Sequence, residues 1–273
     1  MKIEYLLYPE WQGYGVDGAV QDGAHIMARA LFPGVSFSVV ESPLDEPLVA
    51  RDGVLGLQSI AARFQSTLGA LRASAPDAIV TVGGTCGVEA APVAYLNERY
   101  AGDLAVVWFD AHGDLNSPAT SPSGHFHGMV LRTLLGDGPA EYVHDIARPL
   151  TPRQIVLAGT RDLDAGEATF IRDQGIVVVE PDALRDPDAI TRAIRARGFH
   201  HVYLHVDLDC FRPDEIPDSL MRTPGGPAFD AVAASLASLR TAFTVAGWSL
   251  VEYVDRGGAA LDKLRRLVPA SAA

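Results

Sequence analysis

Residues 104–116 read LAVVWFDAHGDLN, an apolar run that ends abruptly in acidic and imidazole side chains. The first half is continuously apolar rather than alternating, which is typical of a strand buried on both faces of a parallel sheet. The second half places Asp110, His112 and Asp114 at every other position, so that an extended backbone would point all three to one side. Ligands bind at the carboxyl ends of strands in such sheets. This junction therefore predicts both a sheet strand and a site.

Similar apolar runs occur on both sides of this stretch. They predict further strands near 2–8, 35–40, 77–82, 154–159, 176–179, 201–206 and 246–251. Helical patterns lie between them, near 53–74, 88–100, 126–136, 164–174, 186–197, 228–240 and 257–267. The alternation predicts right-handed crossovers and an α/β, three-layer αβα sandwich. Because no Pro/Gly/Ser-rich linker divides the chain, we expect one domain over 1–273.

Composition and charge exclude several classes of protein. The chain has 273 residues, 48% of them apolar and 21% charged, which is typical of a globular protein. Its net charge of −12 and the lack of a Lys/Arg run argue against a nucleic-acid partner. The longest apolar runs have about six or seven residues, far fewer than the ~20 that a membrane helix needs. With only two cysteines and no signal-peptide pattern, a cytoplasmic protein without a membrane partner is expected.

A second acidic pair, Asp207 and Asp209, follows the run at 201–206. A single aspartate at a strand end is often a helix N-cap or a turn residue. Several converging carboxylates are costly without a cation, however, and this makes a metal site the better interpretation. Carboxylates with an imidazole suit Mn²⁺ or Mg²⁺, and the imidazole favours Mn²⁺. Such a set can hold two ions ~3.5–4 Å apart and activate water between them.

Four motifs together resemble the ureohydrolases, the family of arginases and agmatinases. They are DAHGDLN, SGHFHG from Ser123, GTRDLDAGE from Gly159 and HVDLDC from His205, and they occur in the order typical of that family. The resemblance implies an eight-stranded, mostly parallel sheet and two Mn²⁺ per subunit. It also implies the metal ligands, which are Asp110, His112, Asp114, Asp207, Asp209 and, at the sixth position, Cys86.

Cys86 is where the sequence departs from the family, which usually has histidine in a GGDHS segment. Here the segment is GGTCGVE, Gly83 to Glu89. Thiolate is a softer ligand that suits Zn²⁺ better than Mn²⁺, so one ion is expected to be held weakly. In the alternative, Cys86 is a spectator at the edge of the site.

The resemblance also assigns catalytic residues. It implies that His127 relays a proton to the leaving group and that Glu252 binds the guanidinium, and we expect Asp114 to accept the proton of the attacking hydroxide. His125 replaces the usual asparagine and is expected to line the pocket. Glu252 could otherwise be an edge residue paired with a neighbouring cation.

Four further residues distinguish substrates within the family. Asp164 and Glu167 match residues that receive the α-amino group, and Asn116 and Ser123 match residues that hold the α-carboxylate. Agmatine lacks that carboxylate, so a small guanidino amino acid is the expected substrate. Asp164 and Glu167 would also suit the start of a helix, and the two roles can coexist.

The cysteine at position 86 resembles one branch of the family, the Nω-hydroxy-L-arginine amidinohydrolases of D-cycloserine biosynthesis, which release hydroxyurea and L-ornithine. Two alternatives stay open, an ordinary arginase and a non-catalytic amino-acid-binding member. The related zinc deacetylases use a single metal and a paired-histidine motif that we do not find here. Relatives commonly form trimers or hexamers, so a homo-oligomer is one expected state.

Overall fold

A computed structural model describes residues 1–15 and 18–268. These residues form ten strands: β1 (Ile3–Tyr8), β2 (Ser38–Val39), β3 (Ala50–Arg51), β4 (Val54–Leu55), β5 (Ala78–Gly83), β6 (Ala105–Phe109), β7 (Ile155–Ala158), β8 (Val177–Val179), β9 (His201–Asp207) and β10 (Thr244–Val251). Eight of them form one sheet in the order β2-β1-β5-β10-β9-β6-β7-β8, while β3 and β4 form a separate hairpin. Every pairing within the large sheet is parallel. The predicted eight-stranded parallel sheet is confirmed.

The helices cover both faces of the sheet. They are α1 (Ala19–Leu31), α2 (Leu57–Ser74), α3 (Ala90–Arg99), α4 (Val130–Leu134), α5 (Ala140–Val143), α6 (Ala165–Gln174), α7 (Ala189–Arg195), α8 (Phe229–Ala242) and α9 (Leu261–Leu264). Helices α2 to α6 contribute to one buried apolar cluster, and α1, α7, α8 and α9 contribute to the other. Successive sheet residues alternate between the clusters, as Trp108 and Phe109 do, because side chains along a strand point to opposite faces. The three-layer sandwich is thus confirmed.

The ends of several elements differ from the prediction. Only Ser38–Val39 of the run at 35–40 pairs with the sheet. The helix expected from residue 53 begins at Leu57 instead, because the preceding residues form the β3–β4 hairpin. Short 3₁₀ turns at Cys86–Glu89 and Phe126–Met129 precede α3 and α4.

Helix α1 was not predicted at all. It contains Gly23 in its interior, and its N-cap residue, Gly18, offers no capping side chain. A Cβ at position 23 would lie 1.8 Å from the carbonyl oxygen of Tyr253, so the glycine is required by the close approach of two backbones. This contact holds α1 against the segment that directly follows Glu252.

The strand order determines where the polar residues lie. The four central strands are β5, β10, β9 and β6, and all four end at the same edge of the sheet. Cys86, Glu252, Asp207 and Asp110 stand at or just beyond those four ends. Across the described ranges, we find no helix with the length and hydropathy of a membrane span.

Candidate metal centre

Three overlapping groups of potential ligands lie at the carboxyl edge of the central strands. Within each group the ligand atoms are all within 4.8 Å of one another, and the groups are Cys86–Asp110–His205–Asp207, Asp110–His112–Asp209 and Asp207–Asp209–Glu252. Asp110, Asp207 and Asp209 each belong to two groups. A carboxylate can bridge two cations with its two oxygens, so shared aspartates suit two neighbouring ions.

The DAHGD segment converges on this edge by bending. The chain leaves the sheet after β6, and Asp110 Oδ1 accepts a hydrogen bond from His112 N at 2.7 Å. Asp209 Oδ1 ties the same loop to β9 by accepting from Ala111 N at 3.0 Å. Asp114 has a positive φ of 51°, which is uncommon for a non-glycine residue. The expected convergence is present, but the expected extended backbone is wrong.

Asp207 and Asp209 both stabilise the local backbone and present carboxylate oxygens to the cluster. Asp207 ends β9, and its Oδ1 accepts from Asp209 N at 2.7 Å, which opens the 3₁₀ turn Leu208–Cys210. Asp207 Oδ2 accepts from the Cys86 thiol at 3.0 Å. Asp209 Oδ2 has no hydrogen-bond donor, although His112 Nδ1 lies 2.9 Å away. The turn-forming role of these aspartates therefore coexists with carboxylate oxygens that remain available to a cation.

Cys86 lies inside this cluster rather than at its edge. It is 2% exposed, and besides Asp207 its Sγ lies 3.9 Å from Asp110 Oδ2 and 3.7 Å from His205 Nε2. Burial, followed by the charge of Glu252, raises the pKa of the Cys86 thiol well above its usual value. Without a cation the sulfur is therefore a neutral thiol.

The charges of the cluster fit divalent cations. Asp110, Asp114, Asp207, Asp209 and Glu252 are each at most 3% exposed. Burial and the neighbouring Asp209 raise the pKa of Asp207 well above its usual value, and burial and Asp110 raise that of Asp209 to about 6. Burial lowers the pKa of His112, but the Asp110 and Asp209 carboxylates raise it by more. Ionising all these carboxylates together is thus unfavourable without a counter-charge, and a metal pair would supply that charge.

Asp114 is linked to the cluster by the indole of Trp108, which also bonds to Asp110. The Nε1 of Trp108 donates to Asp110 Oδ2 at 3.1 Å and to Asp114 Oδ2 at 3.2 Å. Asp114 is not part of the three ligand groups found among the described residues, so its predicted role as a ligand stays a prediction.

A cleft of about 280 Å³ opens above the cluster. His127 lines it, and its Nδ1 lies 2.9 Å from Glu252 Oε1, so the two predicted catalytic side chains contact each other. Glu252 has a φ of 63°, a strained conformation for a glutamate, which turns it at the end of β10. Tyr14 packs edge-on against the rings of both His125 and His127, at centroid distances of 5.6 and 5.3 Å.

The predicted substrate-binding residues all line this cleft. Asn116 Nδ2 donates to Asp164 Oδ2 at 2.8 Å, and Ser123 Oγ accepts from the backbone of His125 at 3.2 Å. Glu167 is largely committed to backbone groups, accepting from Leu115 N at 2.9 Å and from Asp164 N at 3.0 Å. Asp164 and Glu167 form a capping box at the start of α6, as the alternative interpretation expected.

Five lining residues were missed by the sequence analysis, namely Tyr14, Ser121, Gly128, Asp162 and Met221. His205 was missed as a potential ligand. It lies two residues before Asp207 on the same strand. Because residues two apart on a strand point to the same side, the sequence could have placed His205 on the side of Asp207 and Asp209.

Glu10 is a buried carboxyl group that contacts Thr85, the residue before Cys86, and its burial leads to a testable prediction. It is 1% exposed, accepts from Thr85 Oγ1 at 3.2 Å, and has a pKa raised to about 7, chiefly by burial. The folded protein therefore keeps a proton that the unfolded chain loses above about pH 4.3, and stability falls as pH rises toward 7. We expect Glu10→Gln to remove this loss, because glutamine has no proton to lose. The free energy of unfolding of Glu10→Gln minus that of the wild type should therefore rise by about 2 kcal/mol from pH 5 to pH 8.

Urea unfolding of the metal-free proteins at both pH values measures this difference. Glu41→Gln, at an exposed position, is the control. A pH dependence that is identical in the wild type and Glu10→Gln would show that Glu10 does not retain its proton on folding.

Comparison with known proteins is consistent with this geometry. The arginase family model matches residues 39–255. An arginase of Staphylococcus aureus (strain COL) is 36% identical over 179 residues, which cover 63% of this chain and 59% of that protein. An N(omega)-hydroxy-L-arginine amidinohydrolase of Streptomyces lavendulae is 33% identical over 159 residues, which cover 56% of this chain and 55% of that protein. The chain thus matches less than two thirds of the length of either relative.

The fold is shared over nearly the whole chain. The crystal structure of Entamoeba histolytica arginase in complex with L-ornithine has a TM-score of 0.88 and 21% identity, covering 97% of both chains. The match of the family model to most of the chain shows the relationship that the motifs indicated. The chain belongs to the arginase family.

Proposed function

We propose that this protein is a manganese-dependent amidinohydrolase that converts Nω-hydroxy-L-arginine and water into L-ornithine and hydroxyurea. The observation that carries the hydrolase proposal is the placement of the hydrogen-bonded His127–Glu252 pair beside the buried carboxylate cluster in one cleft. The family of the chain supports the reaction class.

Two Mn²⁺ are proposed as the cofactors. The residues proposed to hold them are Asp110, His112, Asp114, Asp207, Asp209 and Cys86. When bound, the ions supply an activated water and stabilise the negative charge that develops during hydrolysis. Because thiolate is a soft ligand, Mn²⁺ is expected to bind less tightly at the position that includes Cys86.

Glu252 and His127 act on the reacting end of the substrate in this proposal. The Glu252 carboxylate pairs with the planar cationic guanidino group, a contact that combines charge with hydrogen bonding. Its bond to His127 Nδ1 orients the ring, which leaves Nε2 to deliver a proton to the departing ornithine amine. Asp114 accepts the proton that the attacking water loses.

The other predicted substrate-binding residues of the cleft would recognise the amino-acid end of the substrate. We propose that Asp164 receives the α-amino group, with Glu167 acting through water because its oxygens already hold the backbone. Asn116, Ser123 and His125 are proposed to bind the α-carboxylate, since all three offer neutral or cationic hydrogen-bond donors.

L-Arginine is the second candidate substrate, and the S. aureus relative, named as an arginase, favours it. The S. lavendulae relative is named for hydroxyarginine, and Cys86 supports that preference. An N-hydroxyl lowers the basicity of a guanidinium and makes its carbon more electrophilic. A centre that holds one Mn²⁺ weakly can therefore be expected to favour the hydroxylated substrate.

Ornithine release from each substrate tests the proposal. We expect Mn²⁺-loaded protein to show at least a roughly tenfold higher kcat/KM for Nω-hydroxy-L-arginine than for L-arginine, which corresponds to about 1.4 kcal/mol. Agmatine, which lacks the α-carboxylate, is the control and should be a poor substrate. Preference for L-arginine would make the protein an ordinary arginase. No turnover of any guanidino compound would indicate an amino-acid-binding protein without catalysis.

A further inference from the structure

His205 is a buried histidine that the family-based ligand set does not use. It is fully buried in β9, and its Nε2 faces Cys86 Sγ at 3.7 Å and Asp110 Oδ2 at 3.9 Å. With Asp207, these residues form the only four-membered ligand group among the described residues. Ligand atoms around a tetrahedral ion with bonds of about 2.1 Å lie about 3.4 Å apart, which is close to this spacing.

The opposite side of the His205 ring faces a carboxylate. Its Nδ1 lies 3.5 Å from Glu89 Oε1 and 3.3 Å from Ser249 Oγ. Glu89 is fully buried, its Oε1 accepts no hydrogen bond, and its Oε2 accepts from the hydroxyl of Tyr203. Metal-binding histidines usually direct their second nitrogen to a carboxylate, which leaves the lone pair of the first for the metal. Glu89 is placed for that role.

The ring is also held in orientation by its neighbours. It stacks on the indole of Trp108 with a centroid distance of 3.5 Å and an interplanar angle of 17°. Trp108 in turn donates to Asp110 and Asp114. The imidazole is therefore fixed by packing on its face and by hydrogen-bonding groups on its edge, as a preorganised ligand would be.

We propose that His205 Nε2 is a metal ligand that compensates for the cysteine at position 86. Cys86, His205, Asp110 and Asp207 then form one metal position with a sulfur, a nitrogen and two oxygens. This set prefers Zn²⁺ or Co²⁺ to Mn²⁺, whereas the neighbouring position, formed by carboxylates and His112, prefers Mn²⁺. The two positions of the centre thus differ in the metal they select. The inference rests on the proposed dinuclear centre, but metal binding without substrate tests it.

Cobalt titration of the metal-free full-length chain provides the first test. We expect wild-type protein to bind two Co²⁺ and to develop a thiolate-to-cobalt absorption band that Cys86→Ser abolishes. His205→Gln should weaken binding at the position with the thiolate band by about tenfold or more and shift that band, while the other position keeps its affinity. The control is His201→Asn, at the opposite end of the same strand, which should bind as the wild type does.

A second measurement needs no substitution and holds even where His205→Gln does not fold. Pulsed electron paramagnetic resonance of the Co²⁺-loaded wild type, with ¹⁵N-labelled histidine, should show nitrogen coupling from two different imidazoles. Coupling from a single imidazole, or an unaltered thiolate band and affinity in His205→Gln, would overturn the role of His205. A wild-type protein that binds no metal at all would instead defeat the proposed function itself.

Discussion

Asp207→Asn is expected to lower turnover on the order of a thousandfold, because it alters a proposed ligand of the proposed metal pair, which would contribute several kcal/mol to transition-state stabilisation. The same substitution should stabilise the metal-free protein by about 1–3 kcal/mol at pH 8. Asp207 is buried beside Asp209 and Glu252, and its raised pKa reflects the cost of ionising it there. Asparagine keeps the shape and one acceptor for the bond from Asp209 N but carries no charge.

The opposite signs of the two effects make this test specific. Ornithine release and metal content measure the first effect, and urea unfolding in the presence of a chelator measures the second. Asp218→Asn is the matched control, because Asp218 is also buried but accepts backbone hydrogen bonds from Arg256 and Ala260 outside the cluster. That control should lose stability. An Asp207→Asn protein that is both less stable without metal and fully active would contradict the proposed centre.

His127→Asn is expected to reduce kcat by about 10²–10⁴ while KM changes little, since general acid–base catalysis contributes in that range. Its Nδ1 lies 2.9 Å from Glu252 Oε1, a contact that orients the ring for the proposed proton transfer to the leaving group. Asparagine can keep a contact with Glu252 but cannot exchange protons near neutral pH.

His125→Asn is the natural comparison for this variant. Both histidines line the same cleft and pack against Tyr14, but no hydrogen bond of the described structure joins the His125 ring to Glu252. We therefore expect His125→Asn to change KM more than kcat. Thermal unfolding of both variants checks that the fold is retained. Equal losses of kcat in the two proteins would remove the special role of His127.

The sequence predicted the sheet well because most of its strands lie within compact apolar runs. It did not predict the strand order, since nothing within Thr244–Val251 says that this strand pairs with β5 on one side and β9 on the other. Helix α1 was missed because Gly23 is unfavourable in a helix interior. The reason for that glycine lies far along the chain, at the carbonyl of Tyr253.

The polar residues of the cleft were predicted from their positions after strands and from the family resemblance. His205 was missed because it stands inside an apolar strand, where a histidine is ordinarily a packed core residue. The proximity of His205 to Cys86 depends on the register of β9 beside β6 and β10, which only the assembled sheet shows. The conformation of Asp114 could not be predicted either, because its positive φ occurs in a loop whose Asp114 carbonyl accepts hydrogen bonds from Leu131 and Arg132 of α4, later in the chain.

The order of the strands in the sheet also has a consequence for folding during translation. During translation β9 and β10 emerge after the other six strands of this sheet, yet they lie in its middle, between β5 and β6. Without these two strands, the other sheet strands fall into two groups of three, β2-β1-β5 and β6-β7-β8, and β5 and β6 each lack a hydrogen-bonded neighbour on one side. Unpaired edges of this kind favour misassembly between chains. We therefore expect ribosome-bound chains that end before Thr244 to bind chaperones strongly, and release from them to coincide with insertion of the final strand.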